Sequence, residues 1–318
     1  MALTRKLVDA RILVGGVSQI GHRRLHVAVG LDTETGFRGP MVAWATGCPI
    51  VYPQVGFAWA EFLARAQLDV VLLVPIQLDQ LLRSLPADFR RQDSLSVVVI
   101  SGSLPASLYE RTRAKLTSTI FVTYGSTEAG LTSTSSPWAA RSRSVANIVS
   151  HMAEVQIVDD NDQPVPAGVT GPIRVRSEEM VSGYLGDDAQ TRQHFKDGWF
   201  YPGDVGALSP DGLLQIVGRT NEVFDFGGLR IAPMAIEEVL LACDGVRDAG
   251  AFTVEVDGIH WPQAAVVCDP GCDLDAVKQQ LRRERPQLPV SITVVDDIPR
   301  SARGKIQRDR LREQVHGV

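Results

Sequence analysis

A chain of 318 residues is long enough for about two domains, each with its own core. With 44% hydrophobic and 22% charged residues and a net charge of −5, it has the composition of an ordinary folded protein and lacks the basic excess of a nucleic-acid groove. The four cysteines, Cys48, Cys243, Cys268 and Cys272, contain no CxxC pair, so a zinc site or disulfide framework is not expected and reduced, mostly buried thiols are.

At the start of the chain, MALTRKLVDARILVGGVSQIG opens basic, but Asp9 and Arg11 interrupt the apolar run before a signal-peptide core can form. No uninterrupted apolar stretch reaches the roughly 18 residues of a spanning helix, and a cytoplasmic chain without a membrane span is expected. From Ala58 the hydrophobic period alternates. AWAEFLARAQ reads as a helix, DVVLLV as a buried strand, PIQLDQLLRSL as a helix with Pro75 in its first turn, and SVVVIS as a second buried strand. Ser103 is the candidate N-cap of a helix that runs to Leu116, followed by a strand ending at Tyr124. Such a βαβ series predicts a parallel sheet with ligands at the carboxyl ends of its strands, where Gly102-Ser103 and the stretch from Tyr124 to Glu128 fall.

Past Glu128 the texture changes. LTSTSSPWAARSRS reads as a Ser/Thr-rich loop, and AEVQIVDD, PIRVRS and LLQIVGR read as short alternating strands of an antiparallel, barrel-like unit. Beyond Arg219 the pattern resets to a compact unit. It holds a helix from Pro233 to Ala242, a hairpin through VEVDG, the strand QAAVVC, a helix DLDAVKQQLRRE with Leu274, Val277 and Leu281 on one face, the strand SITVV and a terminal helix. The expected fold is therefore an α/β N-terminal part, a partial parallel sheet plus a small β-barrel-like unit, followed by a small α+β C-terminal domain. The boundary is placed within residues 219 to 222.

Four segments bear on chemistry: YGSTE (124–128), GYLGDDAQTRQHFKDGWFYPGDVG (183–206), GRTNEVFDFGGLRIAPMAIEEVL (218–240) and IPRSARGKIQRDRL (298–311). Singly, each has an ordinary reading. Thr127 and Glu128 can cap the next segment, YPGD can be a Pro-Gly turn with a solvated aspartate, and Lys305 can be one of several basic residues (Arg300, Arg303, Arg308, Arg310) near an exposed terminal helix. Taken in order, they resemble the signature segments of the adenylate-forming superfamily, which includes acyl- and aryl-CoA synthetases, luciferases and nonribosomal-peptide adenylation domains. The resemblance covers residues 95 to 311, with a weaker extension back to residue 24. The Pro233 and Ile236 to Leu240 pattern looks more like stand-alone CoA ligases.

The resemblance implies an AMP-forming acid–thiol ligase. Such an enzyme uses ATP and Mg²⁺ to turn a carboxylic acid into an acyl-adenylate and passes it to CoA or to the pantetheine thiol of an acyl carrier protein. Residues 1–221 would form the adenylation domain and 222–318 a mobile C-terminal domain. Thr127 would offer its hydroxyl to a phosphate oxygen and Glu128 would supply the carboxylate of a Mg²⁺ site completed by water and phosphate. Asp204 matches the aspartate that accepts from both ribose hydroxyls, Arg219 an arginine at the same end of the nucleoside, and Gly102-Ser103 the adenine-lining segment, with Tyr124 available to stack. Lys305 matches the catalytic lysine, whose long stem suits it to bridge a carboxylate and a phosphate. Asn221 matches the hinge, where aspartate or lysine is usual, and Gly227-Gly228 the loop that lines the thiol tunnel. His26 reads as a core or surface histidine, because the position beside the acyl carboxylate falls near Thr33.

One family element finds no match. Nothing between Met1 and Val99 fits the Ser/Thr/Gly-rich loop that cradles the outer phosphates, and GGVSQIG lacks its hydroxyl run and lysine. The chain is accordingly expected to begin after that loop, to bind AMP or an acyl-adenylate better than ATP, and to leave apolar sheet surface that favours self-association or a companion subunit. Ligase activity of the 318-residue chain is then impaired or partner-dependent. The alternative is a nonenzymatic remnant that binds AMP or an acyl-adenylate and acts through a partner protein.

Overall fold

The computed structural model describes residues 23–54, 56–101, 104–135, 147–150, 152–220, 222, 224–226, 229–256, 259–301 and 304–317. The first elements are β1 (Leu25–Val27), α1 (Glu34–Ala45), α2 (Trp59–Ala66), β2 (Val70–Leu73), α3 (Pro75–Ser84), β3 (Ser96–Val99), α4 (Ala106–Lys115) and β4 (Thr119–Ser126). β1 to β4 are neighbours in chain order and all parallel. Every residue of β2 and β3 is buried, because helices cover both faces. Val71, Leu73, Val97 and Val99 pack with Phe62, Leu63, Leu78, Leu81, Leu82 and Leu108 of α2 to α4. Their neighbours Val70, Leu72 and Val98 face the other way, against Val42 and Ala43 of α1. Truncating one of these leucines to alanine costs about 2–5 kcal/mol.

At β4 the sheet changes character, and every pairing from there to the end of the sheet is antiparallel. It continues through β5 (Gly130–Ser135), β6 (Asn147–Val149), β7 (Ala153–Ile157), β8 (Gly171–Ser177), β9 (Phe195–Lys196), β10 (Trp199–Phe200), β11 (Asp204–Leu208) and β12 (Leu213–Arg219), with α5 (Asp188–His194) set between β8 and β9. Val155, Ile157, Ile173, Val175, Phe200 and Leu214 form the core of this half. This is the barrel-like unit that the alternating strands predict, appended edge-on to the parallel sheet.

The C-terminal part holds a ribbon of β13 (Phe224–Phe226) and β14 (Leu229–Ile231), then α6 (Pro233–Leu241), β15 (Val246–Val256), β16 (Ile259–Cys268), α7 (Leu274–Glu284), β17 (Ser291–Val294) and α8 (Arg308–His316). β15 and β16 pair antiparallel and β16 and β17 parallel, giving a separate three-stranded sheet. Ile236, Leu240, Val277 and Leu281 of α6 and α7 cover one face, while Leu311 of α8 packs with Phe252 and Val267 on the other. Asp273 caps α7 by accepting from the backbone N–H groups of Asp275 and Ala276. The architecture is thus an α/β N-terminal part followed by a small α+β C-terminal domain.

Four local expectations are corrected. β4 does not end at Tyr124 but runs to Ser126, with a register shift between Tyr124 and Gly125, because it folds back on β5 as a hairpin. The first residues of the Ser/Thr-rich stretch are that partner strand rather than loop, and Thr132, Ser133 and Ser135 are buried in it. The N-cap of α4 is Pro105, with no side-chain cap bond, and Ser103 lies outside the described residues. None of the four cysteines is in a disulfide, but Cys48 alone is buried and the other three are half-buried. Among the described residues no helix is long and apolar enough to cross a membrane.

Candidate functional site

Tyr124, Asp204 and Arg219, predicted from separate motifs, meet in one corner. Asp204 opens β11 directly opposite Arg219 at the end of β12, so the hairpin register makes them a cross-strand pair. Arg219 Nη1 donates to Asp204 Oδ1 at 3.0 Å, and the Tyr124 hydroxyl donates to Oδ2 at 2.7 Å. Gly203 supplies the turn before Asp204 with a φ of +77°, a conformation a side chain disfavours. Thr220 N–H closes the corner by donating to the Gly203 carbonyl at 2.7 Å.

Burial dominates the electrostatics of this corner. It pushes the Asp204 carboxyl above its ordinary value, against the opposing pulls of the Tyr124 hydrogen bond, the Arg219 guanidinium and the Lys305 charge. Burial also holds the Tyr124 phenol well above its usual range, reinforced by the Asp204 carboxylate, so the phenol remains a donor. Each carboxylate oxygen has one protein donor and keeps lone pairs for further donors. A carboxylate with lone pairs to spare can accept from the hydroxyls of a vicinal diol.

Lys305 is exposed, in the turn before α8. Ser301 N–H donates to the Lys305 carbonyl at 2.8 Å, and Lys305 N–H donates to Ser301 Oγ at 3.2 Å. Arg300 braces the turn by donating to the Gly304 carbonyl at 2.8 Å while pairing with Asp248 at 2.7 Å. A side chain at Gly304 would place its Cβ 2.9 Å from Ile76 Cγ2, so this C-terminal turn lies against the start of α3 in the N-terminal part. The Lys305 charge is the weakest of the influences that lower the Asp204 carboxyl.

Further along β4, Thr127 and Glu128 lie in the tight turn between β4 and β5, with Thr127 exposed and Glu128 half-buried. The strands come so close that a Cβ on Gly125 would sit 2.3 Å from the Gly130 carbonyl oxygen. The segment after β8 holds this turn: Val181 N–H donates to the Glu128 carbonyl at 2.9 Å and Ser177 Oγ to the Ala129 carbonyl at 2.6 Å. The Tyr184 hydroxyl donates to Glu128 Oε1 at 2.8 Å. Burial, then the Glu128 hydrogen bond, pushes that phenol up to about 12, so it stays protonated. Among the described residues no group of three His, Cys, Asp or Glu side chains could hold a metal by itself. A single oriented carboxylate fits Mg²⁺ only where phosphate and water complete the octahedron.

Sequence reasoning missed Tyr184, although it stands inside a quoted motif, because nothing in GYLGDD says what its hydroxyl reaches. It also missed Ser101, a non-glycine residue at a φ of +60° beside the proposed adenine-lining segment. His26 is a core histidine, 3% exposed, its Nδ1 2.9 Å from the Val51 carbonyl and its ring packed edge-on against Trp59 and Phe62. Thr33 caps α1. The expected roles of Gly102, Ser103, Asn221, Gly227 and Gly228 fall on residues outside the described ones.

The sequence pattern of the AMP-binding enzyme family matches residues 15–185, and that of the AMP-binding enzyme C-terminal domain matches residues 235–305. The chain is 30% identical to 4-coumarate–CoA ligase 5 of Oryza sativa subsp. japonica over 80% of its own length and 50% of the relative's. It is 33% identical to 2-succinylbenzoate–CoA ligase of Listeria innocua serovar 6a over 51% of its length and 33% of the relative's. Among solved structures, an amide bond synthetase from Marinactinospora thermotolerans superposes with a TM-score of 0.87 at 25% identity, covering 98% of this chain and 66% of that one. The chain thus spans half or less of the length of these curated relatives. Two consecutive family patterns and the shared fold lead to one conclusion: the chain belongs to the AMP-binding enzyme family.

Proposed function

We propose that the Tyr124–Asp204–Arg219 corner holds the ribose of AMP or an acyl-adenylate, and that the chain carries the C-terminal part of an AMP-forming acid–thiol ligase. The observation that supports this reading best is the buried Asp204 carboxylate, held by the Arg219 guanidinium at 3.0 Å and the Tyr124 hydroxyl at 2.7 Å. Asp204 accepts from the ribose hydroxyls while Arg219 and Tyr124 keep it oriented. Thr127 and Glu128 face the phosphates, Glu128 being the carboxylate that would hold Mg²⁺ and Tyr184 fixing its direction. Lys305 neutralises the carboxylate and α-phosphate as they approach, a pre-placed charge worth roughly 10² to 10³ in rate. Bound ATP–Mg²⁺ would supply the electrophilic phosphorus, and CoA or a carrier pantetheine the acceptor thiol. The relatives' names point to aryl and acyl carboxylic acids as substrates.

A second reading, nucleotide binding through a partner chain, draws on one surface. Phe37, Met41 and Trp44, one face of α1, are 57%, 41% and 69% exposed. An apolar stripe of this kind on a helix suits a companion subunit or a second copy. Acid-dependent AMP release separates the readings. With Mg²⁺-ATP, CoA and 4-coumarate, salicylate or 2-succinylbenzoate, turnover by the chain alone supports the ligase. AMP binding without turnover, restored by a second polypeptide, supports the partner-dependent form. Absence of AMP binding in calorimetry would remove both.

A further inference from the structure

Arg308, at the start of α8, is the most enclosed cation near the proposed site. It bonds Glu237, itself 8% exposed, and donates to the Ala251 carbonyl at 2.7 Å. Glu237 also accepts from the Ala251 N–H at 2.9 Å, so this node is fixed to α6 and β15 in the C-terminal core. Both of the Arg308 bonds use Nη1; Nη2 pairs with Glu222 at 3.1 Å, and the buried Nε has no partner among the described residues. Glu222 sits beside the nucleoside corner, its N–H donating to the Arg219 carbonyl at 3.1 Å.

The contacts form a continuous chain. Asp204 bonds Arg219, Arg219 bonds the Glu222 backbone, Glu222 pairs with Arg308, and Arg308 stands three residues after Lys305, whose charge lowers the Asp204 carboxyl. The turn that carries Lys305 is braced from within by Arg300, Asp248 and Ser301 and lies against Ile76 of α3 at Gly304. These contacts do not reach the Asp204 corner, whereas the Arg308–Glu222 pair joins it through the Arg219 carbonyl. We infer that Glu222 and Arg308 are positioning residues for Lys305, setting where its amine stands relative to the Asp204 corner. A single charged residue ahead of the α8 node then decides whether the lysine faces the nucleotide, and the placement should weaken with salt, because the side chain of Glu222 is 35% exposed.

The inference rests on the proposed roles of Asp204 and Lys305, and the test separates its failure from theirs. AMP binding to the full chain is followed by calorimetry from neutral pH downwards in wild type, Lys305→Ala and Glu222→Gln. Asp204 is faced by Tyr124, Arg219 and Lys305, so withdrawal of the lysine charge raises its carboxyl and moves the acid limb of AMP binding to higher pH. Removing the negative charge of Glu222 acts directly on Asp204 in the opposite sense, so the sign of the shift is diagnostic. The expected result is that Glu222→Gln moves the limb upwards, in the direction of Lys305→Ala, with unchanged thermal stability, and that Glu222→Asp restores most of it. An upward shift in Lys305→Ala with a downward or absent shift in Glu222→Gln would overturn the coupling and leave Lys305 in place. No shift in either variant would overturn both. Glu222→Gln leaves the buried Arg308–Glu237 pair intact, so it tests position without exposing a buried charge.

Discussion

The two ends of the candidate site are built differently. At the Asp204 end, two strands in register and a tyrosine from a third place a buried carboxylate between two fixed donors, 3.0 and 2.7 Å away. At the Glu128 end, a half-buried carboxylate stands on a tight turn beside an exposed threonine and is oriented by one phenol, 2.8 Å away. The first end carries its desolvation in the protein before any ligand arrives, and the second is shaped to be completed by one. On the proposed function, recognition of the nucleoside would be a property of the folded sheet, while the phosphate end would depend on what binds.

The largest expected effect lies between the two ends. Lys305→Ala should lower acid-dependent adenylation by roughly 10² to 10³ while leaving thioester formation from a supplied acyl-adenylate and the unfolding temperature unchanged. Equal loss in both half-reactions would place Lys305 outside the adenylation step. Next, Asp204→Ala should weaken AMP by about 10- to 150-fold for each charge-assisted bond of about 1.5–3 kcal/mol that it removes, with pyrophosphate affinity unchanged. Loss of both ligands to the same degree would show that the two ends are not separable.

Tyr124→Phe removes a hydrogen bond that lowers the Asp204 carboxyl, so that group should rise further and the acid limb of AMP binding should move to higher pH. At neutral pH the loss should stay near fivefold, about 1 kcal/mol. A limb that stays in place would mean that the phenol does not act through Asp204. Stability responds oppositely to affinity at this position. A carboxyl raised in the fold stabilises below its unfolded value of about 3.8 and loses that contribution as pH rises through the folded value. Asp204→Asn should therefore unfold no earlier than wild type at neutral pH even as it weakens AMP, and differential scanning calorimetry at two pH values reads this directly. The smallest effect is at the other end: Tyr184→Phe should raise the Mg²⁺ concentration needed for half-maximal turnover by about fivefold and leave metal-free AMP affinity alone.

Most of the fold is written in local period. DVVLLV and SVVVIS are apolar without alternation because helices cover both faces, and they fold as β2 and β3. The Ser/Thr stretch after Gly130 carries no such period, yet it is a largely buried strand, because its backbone pairs with β4 and β6 and Ser135 Oγ accepts from Val122 N–H at 2.7 Å, while the buried Ser133 hydroxyl has no partner among the described residues. For the proposed site, the aspartate, arginine and lysine were singled out because their motifs are ordered along the chain. What lay beyond the sequence was the pairing between motifs. The Tyr184–Glu128 bond joins residues 56 positions apart, and the Glu222–Arg308 pair joins residues 86 apart, and no periodicity specifies a contact of that range.

The central claim is that Asp204 reads the ribose, and the most direct measurement is calorimetry of AMP and 2′-deoxy-AMP against wild type and Asp204→Ala. Wild type should bind AMP more tightly than 2′-deoxy-AMP, by about tenfold or more for one lost charge-assisted bond, and that preference should vanish in the variant. Equal binding of the two nucleotides by wild type, or a preference that survives in Asp204→Ala, would contradict the account.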